Sequence, residues 1–276
     1  KVEAHAVIAA EFMVMGHKAF SKDSVCIFST RSGNTKEIVA AAKFCKEAGA
    51  RTMVYVSNDN TPVCEYADYK FYSPAEDPDL CEAIYSYTIC LLGRFMKNAG
   101  AFDKYDEFMA QYAGLTKYLI AGKEKFDPFC QELAKKFKNV DYHMVIGGGM
   151  LWGEAYDYAM CILEEMQWIR TKSIHVCEYF HGTLELVEKD TSLILFYGED
   201  ETRPLMDRVL KFSKTVSDEI TIFDTKEVEL PFTDPEFRKI VSPIVIYAMT
   251  ERLSAHLAKE RNHPLTTRRY YRQMEY

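Results

Sequence analysis

The chain has 276 residues, of which 48% are hydrophobic and 27% charged, enough for one large globular unit or two coupled halves. A net charge of −7 argues against nucleic acid as a partner, because nucleic-acid binders normally carry a basic excess, and no apolar run approaches the roughly 18 residues of a membrane span. Eight cysteines without a CxxC pair argue against a zinc site or a disulfide framework, and with no recognisable signal peptide they predict a cytoplasmic protein with reduced thiols.

The first part of the chain alternates between short apolar runs and amphipathic segments. Strands are predicted at residues 2–7, 25–28, 52–56 and 70–72, and helices at residues 9–20 and 35–48. This alternation favours a parallel sheet covered by helices. A helical middle follows, predicted at residues 79–98, 102–119 and 124–137 and punctuated by Gly100, Gly114, Gly122 and Pro128.

The strand and helix pattern then restarts. Strands are predicted at residues 142–146, 173–177, 192–197 and 219–223, and helices at residues 152–168, 203–217 and 242–261. The two parts have similar layouts, so we interpret the chain as a loose internal duplication. The predicted division is residues 1–125, a first half with a helical connector, and residues 126–276, a second half with a C-terminal tail.

The loop after the second predicted strand is rich in hydroxyl groups and leads directly into a helix. Thr30, Ser32 and Thr35 offer hydroxyl donors, Gly33 allows a sharp turn, and the helix start offers backbone N–H groups, a combination that suits a sugar phosphate. No Walker-type lysine follows, which argues against a nucleoside triphosphate. Ordinary helix capping explains the same residues equally well, so both interpretations stay open on this loop alone.

Three further elements carry candidate chemistry. The glycine run 147–149 suits either close approach to a ligand or simply a tight strand–helix turn. Glu164 and Glu165 stand near a helix C-terminus, where carboxylates oppose the helix dipole, so one of them is a candidate for function rather than a solvated side chain. His181 follows a buried strand between aromatic residues and Gly182, and it is either a structural histidine or a proton carrier.

These motifs together resemble the sugar isomerase (SIS) family. The resemblance rests on Thr30-x-Ser32-Gly33-x-Thr35 and on Glu165, sixteen positions before His181 in Glu178-x-x-His181-Gly182. Segments 10–18, 178–182 and 263–271 most resemble the fructosamine-6-phosphate deglycases of that family, of the fructoselysine-6-phosphate type. The resemblance implies an α/β fold of two three-layer α/β/α halves with parallel sheets, the first half lacking its first strand.

The resemblance also implies roles for individual residues. Glu165 corresponds to the catalytic base and His181 to the histidine that opens the sugar ring. The implied substrate contacts are Thr30, Arg31, Ser32, Thr35, Ser73, Gly148 and Arg269. The implied reaction cleaves a 6-phosphorylated fructosamine, an Amadori product, to glucose 6-phosphate and a free amino acid, with no metal or other cofactor. In relatives the base and the histidine come from different subunits, which implies a homodimer or a larger homo-oligomer with shared active sites.

Two departures from the family pattern bear on these expectations. The chain opens inside what would be the second strand, without the Gly-Gly-Ser turn that usually contacts the sugar. Tyr158 and Ile162 stand where synthase-type isomerases carry a further acid and a lysine, which argues against the amino-sugar isomerase itself. The alternatives are a phosphosugar aldose–ketose isomerase related to the glucosamine-6-phosphate synthase isomerase domain, and a non-catalytic phosphosugar sensor.

Overall fold

Each of two units in the chain builds its own parallel sheet. The computed structural model describes residues 3–72, 82–271 and 273–275, and the units comprise residues Lys1–Asp103 and Lys104–Tyr276. Ser73, one of the expected substrate contacts, lies outside the described residues. The division after residue 125 into two family halves stays a prediction.

In its described part, the first unit has three strands in the order β1-β2-β3, all parallel. The strands are β1 (Val25–Ser29), β2 (Arg51–Val56) and β3 (Tyr69–Tyr72), and the helices are α1 (Ala9–Met15), α2 (Lys36–Glu47) and α3 (Glu82–Asn98). The apolar face of α2 packs on the sheet, with Ala42 and Val54 both fully buried. The central strand β2 is buried along most of its length, as its run of apolar residues predicts.

Two predictions at the start of the chain are wrong. Residues 3–7 form no strand, since no neighbouring strand pairs with them and Val7 is 53% exposed. The first helix ends at Met15 rather than at residue 20. Gly16 takes φ +67° there, and its N–H bonds to the carbonyl of Phe12, which closes the helix.

The second unit has four described strands in the order β5-β4-β6-β7, all parallel. The strands are β4 (Tyr142–Gly147), β5 (Arg170–His175), β6 (Ser192–Tyr197) and β7 (Ile220–Asp224), and the helices are α4 (Tyr105–Tyr112), α5 (Leu115–Phe137), α6 (Trp152–Asp157), α7 (Arg203–Ser213) and α8 (Pro235–Glu260). A buried cluster on one face of the sheet includes Met144, Leu193 and Val209. None of the helices in the described part of the chain is long and apolar enough to cross a membrane.

The long helices of the second unit differ from the prediction. Gly122 and Pro128 lie inside the continuous helix α5. The break between helices α4 and α5 falls at Gly114 instead. A Cβ at Gly122 would come within 3.1 Å of Val228, so this glycine allows close packing rather than ending the helix. Helix α8 begins at Pro235, seven residues before the predicted start, because the Asp234 carboxylate accepts the N–H of Glu236 at 2.9 Å and caps it.

The helix predicted at residues 152–168 changes its winding part-way. Residues Tyr158–Met166 form a π-helix, and the N–H of Gln167 bonds to the carbonyl of Ile162, five residues back. π-Helical turns are rare and are found frequently at functional sites. Both Glu164 and Glu165 lie in this segment.

Acid is expected to destabilise the second unit through His143, which is fully buried on β4 and whose Nδ1 lies 2.8 Å from the Ser192 hydroxyl. Burial, with a smaller contribution from Arg261, lowers the pKa of His143 from 6.5 to about 4. The unfolded chain therefore binds a proton between these pH values and the folded chain does not, so stability is fully present above pH 6.5 and is lost as the pH falls. We expect the free energy of unfolding to drop by about 3 kcal/mol from this group between pH 7 and pH 4. Urea titrations of wild type and His143→Gln measure it, and an identical pH slope in both proteins would contradict the assignment.

Candidate active site

The hydroxyl-rich loop connects the carboxyl end of β1 to helix α2 and is held firmly by its neighbours. The N–H of Thr30 bonds to the carbonyl of Tyr55, and the carbonyl of Gly33 accepts the N–H of Val63, both at 3.0 Å. Gly33 has φ +64°, and a Cβ there would lie 2.1 Å from the Thr61 hydroxyl. The loop therefore has a fixed shape that only glycine allows at this position.

The hydroxyl groups of this loop are not used to cap the helix. Thr35 occupies the N-cap position of α2, yet its side chain makes no capping hydrogen bond. Its hydroxyl instead lies 3.4 Å from that of Thr30, which is buried at the base of the loop, while Ser32 donates to the Asn34 side chain at 2.7 Å. The capping interpretation is thus disfavoured, and phosphate binding by this loop stays a prediction.

The corresponding loop of the second unit, between β6 and α7, has the opposite electrostatic character. It carries three consecutive carboxylates, Glu199, Asp200 and Glu201. The Asp200 carboxylate accepts the N–H groups of Met150 at 2.7 Å and Thr202 at 2.8 Å. Burial alone raises the pKa of Asp200, but the hydrogen bonds from Thr202 and Met150 outweigh it and lower the pKa below its usual value. The N–H groups of Met150 and Thr202 are thus already bonded to a carboxylate of the protein, and the negative charge of this carboxylate disfavours an anionic ligand at this loop.

The glycine run 147–149 is explained by close packing within the second unit. A Cβ at Gly147 would lie 2.6 Å from the carbonyl oxygen of Leu151, one at Gly148 would lie 2.4 Å from Val176, and one at Gly149 would lie 2.4 Å from the Asp200 carboxylate. These contacts favour the tight strand–helix turn. A substrate contact through the Gly148 backbone stays a prediction.

Glu165 lies in the wall of a large cavity in the second unit, of about 1020 Å³. Tyr142 and Arg170, the first residues of the paired strands β4 and β5, also line it, so the cavity lies at the amino ends of these strands. The Glu165 carboxylate is 38% exposed and its Oε1 lies 3.1 Å from Nε of Arg268. Its neighbour Glu164 instead accepts the Thr171 hydroxyl at 2.5 Å.

The C-terminal tail also lines this cavity. Arg268 is anchored by donating to the carbonyl groups of Leu265 at 2.7 Å and Thr267 at 2.9 Å. Arg269 stacks its guanidinium over the Trp168 ring, 4.1 Å from the ring centre. The two adjacent arginines therefore reach Glu165 and the Trp168 ring from the same stretch of chain.

His181 lies at the other end of the same strand. It follows β5 in a turn in which its N–H bonds to the carbonyl of Glu178 at 2.9 Å, and its side chain is exposed. Glu165 precedes β5, and the strand from Arg170 to His175 spans about 17 Å at roughly 3.3 Å per residue. Within one chain, Glu165 and His181 are therefore held apart by the length of β5.

Comparison with known proteins gives the family. The SIS domain model matches residues 2–92. The chain is 32% identical over 273 residues to the fructosamine deglycase FrlB of Bacillus subtilis (strain 168), covering 97% of this chain and 82% of that protein. This chain belongs to the SIS domain family.

Other relatives and solved structures agree with this assignment. The SIS protein is 23% identical to the fructoselysine 6-phosphate deglycase of Escherichia coli (strain K12), over 87% of this chain and 68% of that protein. A Bacillus subtilis crystal structure, provisionally described as a phosphosugar isomerase, superposes with a TM-score of 0.92 at 29% identity, covering 97% of this chain and 82% of the other. The expected α/β fold with parallel sheets is confirmed.

Two residues of this cavity make contacts that the local sequence does not predict. Arg268, in the C-terminal tail, is the ion-pair partner of Glu165. Trp168, the last residue of the predicted helix 152–168, has a left-handed backbone with φ +56° and supports Arg269. The adjacent arginines and tyrosines of residues 268–271 are the one signal in the sequence that points to this wall.

Proposed function

We propose that this SIS protein is a deglycase that cleaves a 6-phosphorylated fructosamine to glucose 6-phosphate and a free amino acid. The observation that carries the proposal is the Glu165 carboxylate in the wall of an open cavity, oriented by Arg268. The likeness to the fructosamine deglycase FrlB, over nearly the whole chain, supports the substrate class. Tyr158, where a synthase-type isomerase has an acid, is buried and apart from this cavity, which disfavours the amino-sugar isomerase.

The proposed reaction is an isomerisation followed by hydrolysis of an imine. His181 moves a proton between the ring oxygen and the C2 hydroxyl, which opens the sugar ring. Glu165 removes a proton from C1 of the open ketosamine to form an enaminol, and a proton returned to C2 gives the aldose Schiff base. Water adds to the C1=N bond, and the amine leaves as the free amino acid. Only proton transfers and water are required, so acid–base side chains suffice.

We assign the phosphate to the loop of Thr30, Arg31, Ser32 and Thr35. The fixed shape of the loop and the unused capping position of Thr35 support this role. The doubly charged phosphate suits the positive end of the α2 dipole and the hydroxyl donors around it.

Active sites shared between two subunits are part of the same proposal. Glu165 and His181 lie at opposite ends of β5, so a site that uses both takes them from different chains. A homodimer with two shared sites, or a larger homo-oligomer, supplies this arrangement.

The seven described cysteines are free thiols, which supports a reducing compartment such as the cytoplasm.

The phosphate loop has a direct test with a matched control. Thr35→Val removes one hydroxyl donor to a charged ligand, so we expect glucose 6-phosphate to bind about tenfold more weakly or worse. Thr202→Val makes the same change at the start of α7, beside the carboxylate-filled loop, and is expected to leave binding unchanged. Isothermal titration of both variants measures the effect. Equal affinities for wild type and Thr35→Val would remove this loop from the phosphate site.

A further inference from the structure

The cavity around Glu165 contains more positive than negative side chains. It is lined by four arginines and three carboxylates: Arg170, Arg261, Arg268, Arg269, Asp141, Glu164 and Glu165. Two of the arginines already have hydrogen-bond or ion-pair partners within the protein. Arg268 pairs with Glu165, and Arg261 donates to the carbonyl groups of Lys138 at 2.7 Å and Gln167 at 3.4 Å.

Arg269 is positioned without an anionic partner. Its guanidinium lies 4.1 Å from the centre of the Trp168 ring and 5.9 Å from that of Tyr270, and its side chain is exposed to the cavity. Within residues 3–72, 82–271 and 273–275, no carboxylate forms an ion pair with it. Stacking uses the face of a guanidinium and leaves the N–H groups on its edge for a planar ligand, which a carboxylate matches with two parallel hydrogen bonds.

Trp168 is itself held in place at a conformational cost. Its φ of +56° is unusual for a bulky aromatic residue, and its N–H closes the π-helix by bonding to the carbonyl of Glu164 at 3.1 Å. The His263 ring packs edge-on against it, with ring centres 4.4 Å apart. Backbone strain of this kind persists where the surroundings enforce it and is common at ligand sites. The platform under Arg269 is therefore supported both by its backbone conformation and by the His263 ring.

The chemistry of the proposed substrate supplies the missing anion. A 6-phosphorylated fructosamine of an amino acid carries a phosphate at C6 and a carboxylate on the group attached at C1. Glu165 acts at C1 and C2 in the proposed reaction, so the amino-acid part lies on the same side of the substrate as Glu165 and the adjacent arginines. In an amino acid linked through its α-nitrogen, the carboxyl carbon is three bonds from C1.

We propose that Arg269, stacked on Trp168, binds the carboxylate of the amino-acid part of the substrate. This SIS protein then selects fructosamine 6-phosphates of amino acids over those of amines without a carboxylate. The inference rests on the proposed function and adds to it the group that determines specificity.

Two substrates that differ only in the carboxylate test this proposal. They are fructosylglycine 6-phosphate and fructosylmethylamine 6-phosphate, and the readout is the ratio of their kcat/KM values for release of glucose 6-phosphate. We expect wild type to favour the glycine compound by about tenfold to a hundredfold, the range of a charge-assisted bidentate contact. Arg269→Met is expected to bring the ratio close to one, and Trp168→Leu to lower it less, since the arginine then keeps its charge but loses its platform.

Lys117→Met is the matched control for these variants. Lys117 is another exposed cation over an aromatic ring of the same unit, 4.9 Å from the centre of Tyr118, and lies outside the cavity. We expect it to keep the wild-type ratio. A wild-type ratio near one, or an Arg269→Met variant that slows both substrates equally, overturns the proposal while leaving the deglycase function standing. If wild type releases glucose 6-phosphate from neither substrate, both the carboxylate proposal and the proposed deglycase function are overturned.

Discussion

Replacing Glu165 by glutamine is expected to lower kcat for glucose 6-phosphate release by about a thousandfold or more, since the proton transfers at C1 and C2 then lack their base. Glutamine keeps the size and hydrogen-bonding shape of the side chain, so binding of glucose 6-phosphate should persist. The pair with Arg268 is partly exposed, and its loss should change the unfolding temperature little. Steady-state kinetics and isothermal titration on the same preparation separate the two effects.

Glu164→Gln is the control for that measurement. Glu164 is the neighbouring carboxylate in the same π-helix and cavity wall, but it bonds to the Thr171 hydroxyl rather than to Arg268. A glutamine oxygen still accepts that bond, so we expect this variant to keep most of the wild-type kcat. Activity near that of wild type in Glu165→Gln, or equal losses in both variants, would contradict the assignment of Glu165 as the base.

Mixing two inactive variants is expected to restore activity if active sites are shared. Glu165→Gln and His181→Asn each damage every site of their own homodimer. A mixed dimer has one site with both substitutions and one with neither, because Glu165 and His181 of a chain belong to different sites. Random reassociation of equal amounts makes half of the dimers mixed, so about a quarter of wild-type activity should return.

The readout is glucose 6-phosphate release after the two variants are unfolded together and refolded. Each variant refolded alone provides the baseline, and size-exclusion chromatography reports the assembly. A mixture no more active than its components would show that each site draws both residues from one chain, which the position of the two residues at opposite ends of β5 opposes.

The local patterns of the sequence predict much of the fold. The strand before Thr30, the helix after Thr35 and the strand 192–197 lie where expected, within a residue or two. These are apolar runs and turn residues whose preferences act over a few positions. The strand expected at residues 2–7 is not formed in residues 3–7. An alternating pattern of apolar residues does not make a strand when no neighbouring strand pairs with it.

The candidate site was predicted in its parts but not in its arrangement. The resemblance implies both Glu165 and His181 and their origin in different subunits, but no pattern in the sequence predicts the π-helical setting of Glu165. The contact between Arg268 and Glu165 joins residues more than a hundred positions apart. No local preference of either residue encodes it, since it depends on the path of α8 and the tail.

The sequence alone determined the SIS motifs, the alternating strands and helices, and the hydroxyl-rich loop at Thr30–Thr35, because these depend on neighbouring residues. The tertiary structure decided that the counterpart loop at Glu199–Glu201 is occupied by its own carboxylate, since Asp200 accepts the N–H of Met150 from a different turn. It also decided that Arg268 of the tail contacts Glu165 and that both line one cavity. Both results come from long-range packing, which brings together side chains that are distant in the chain.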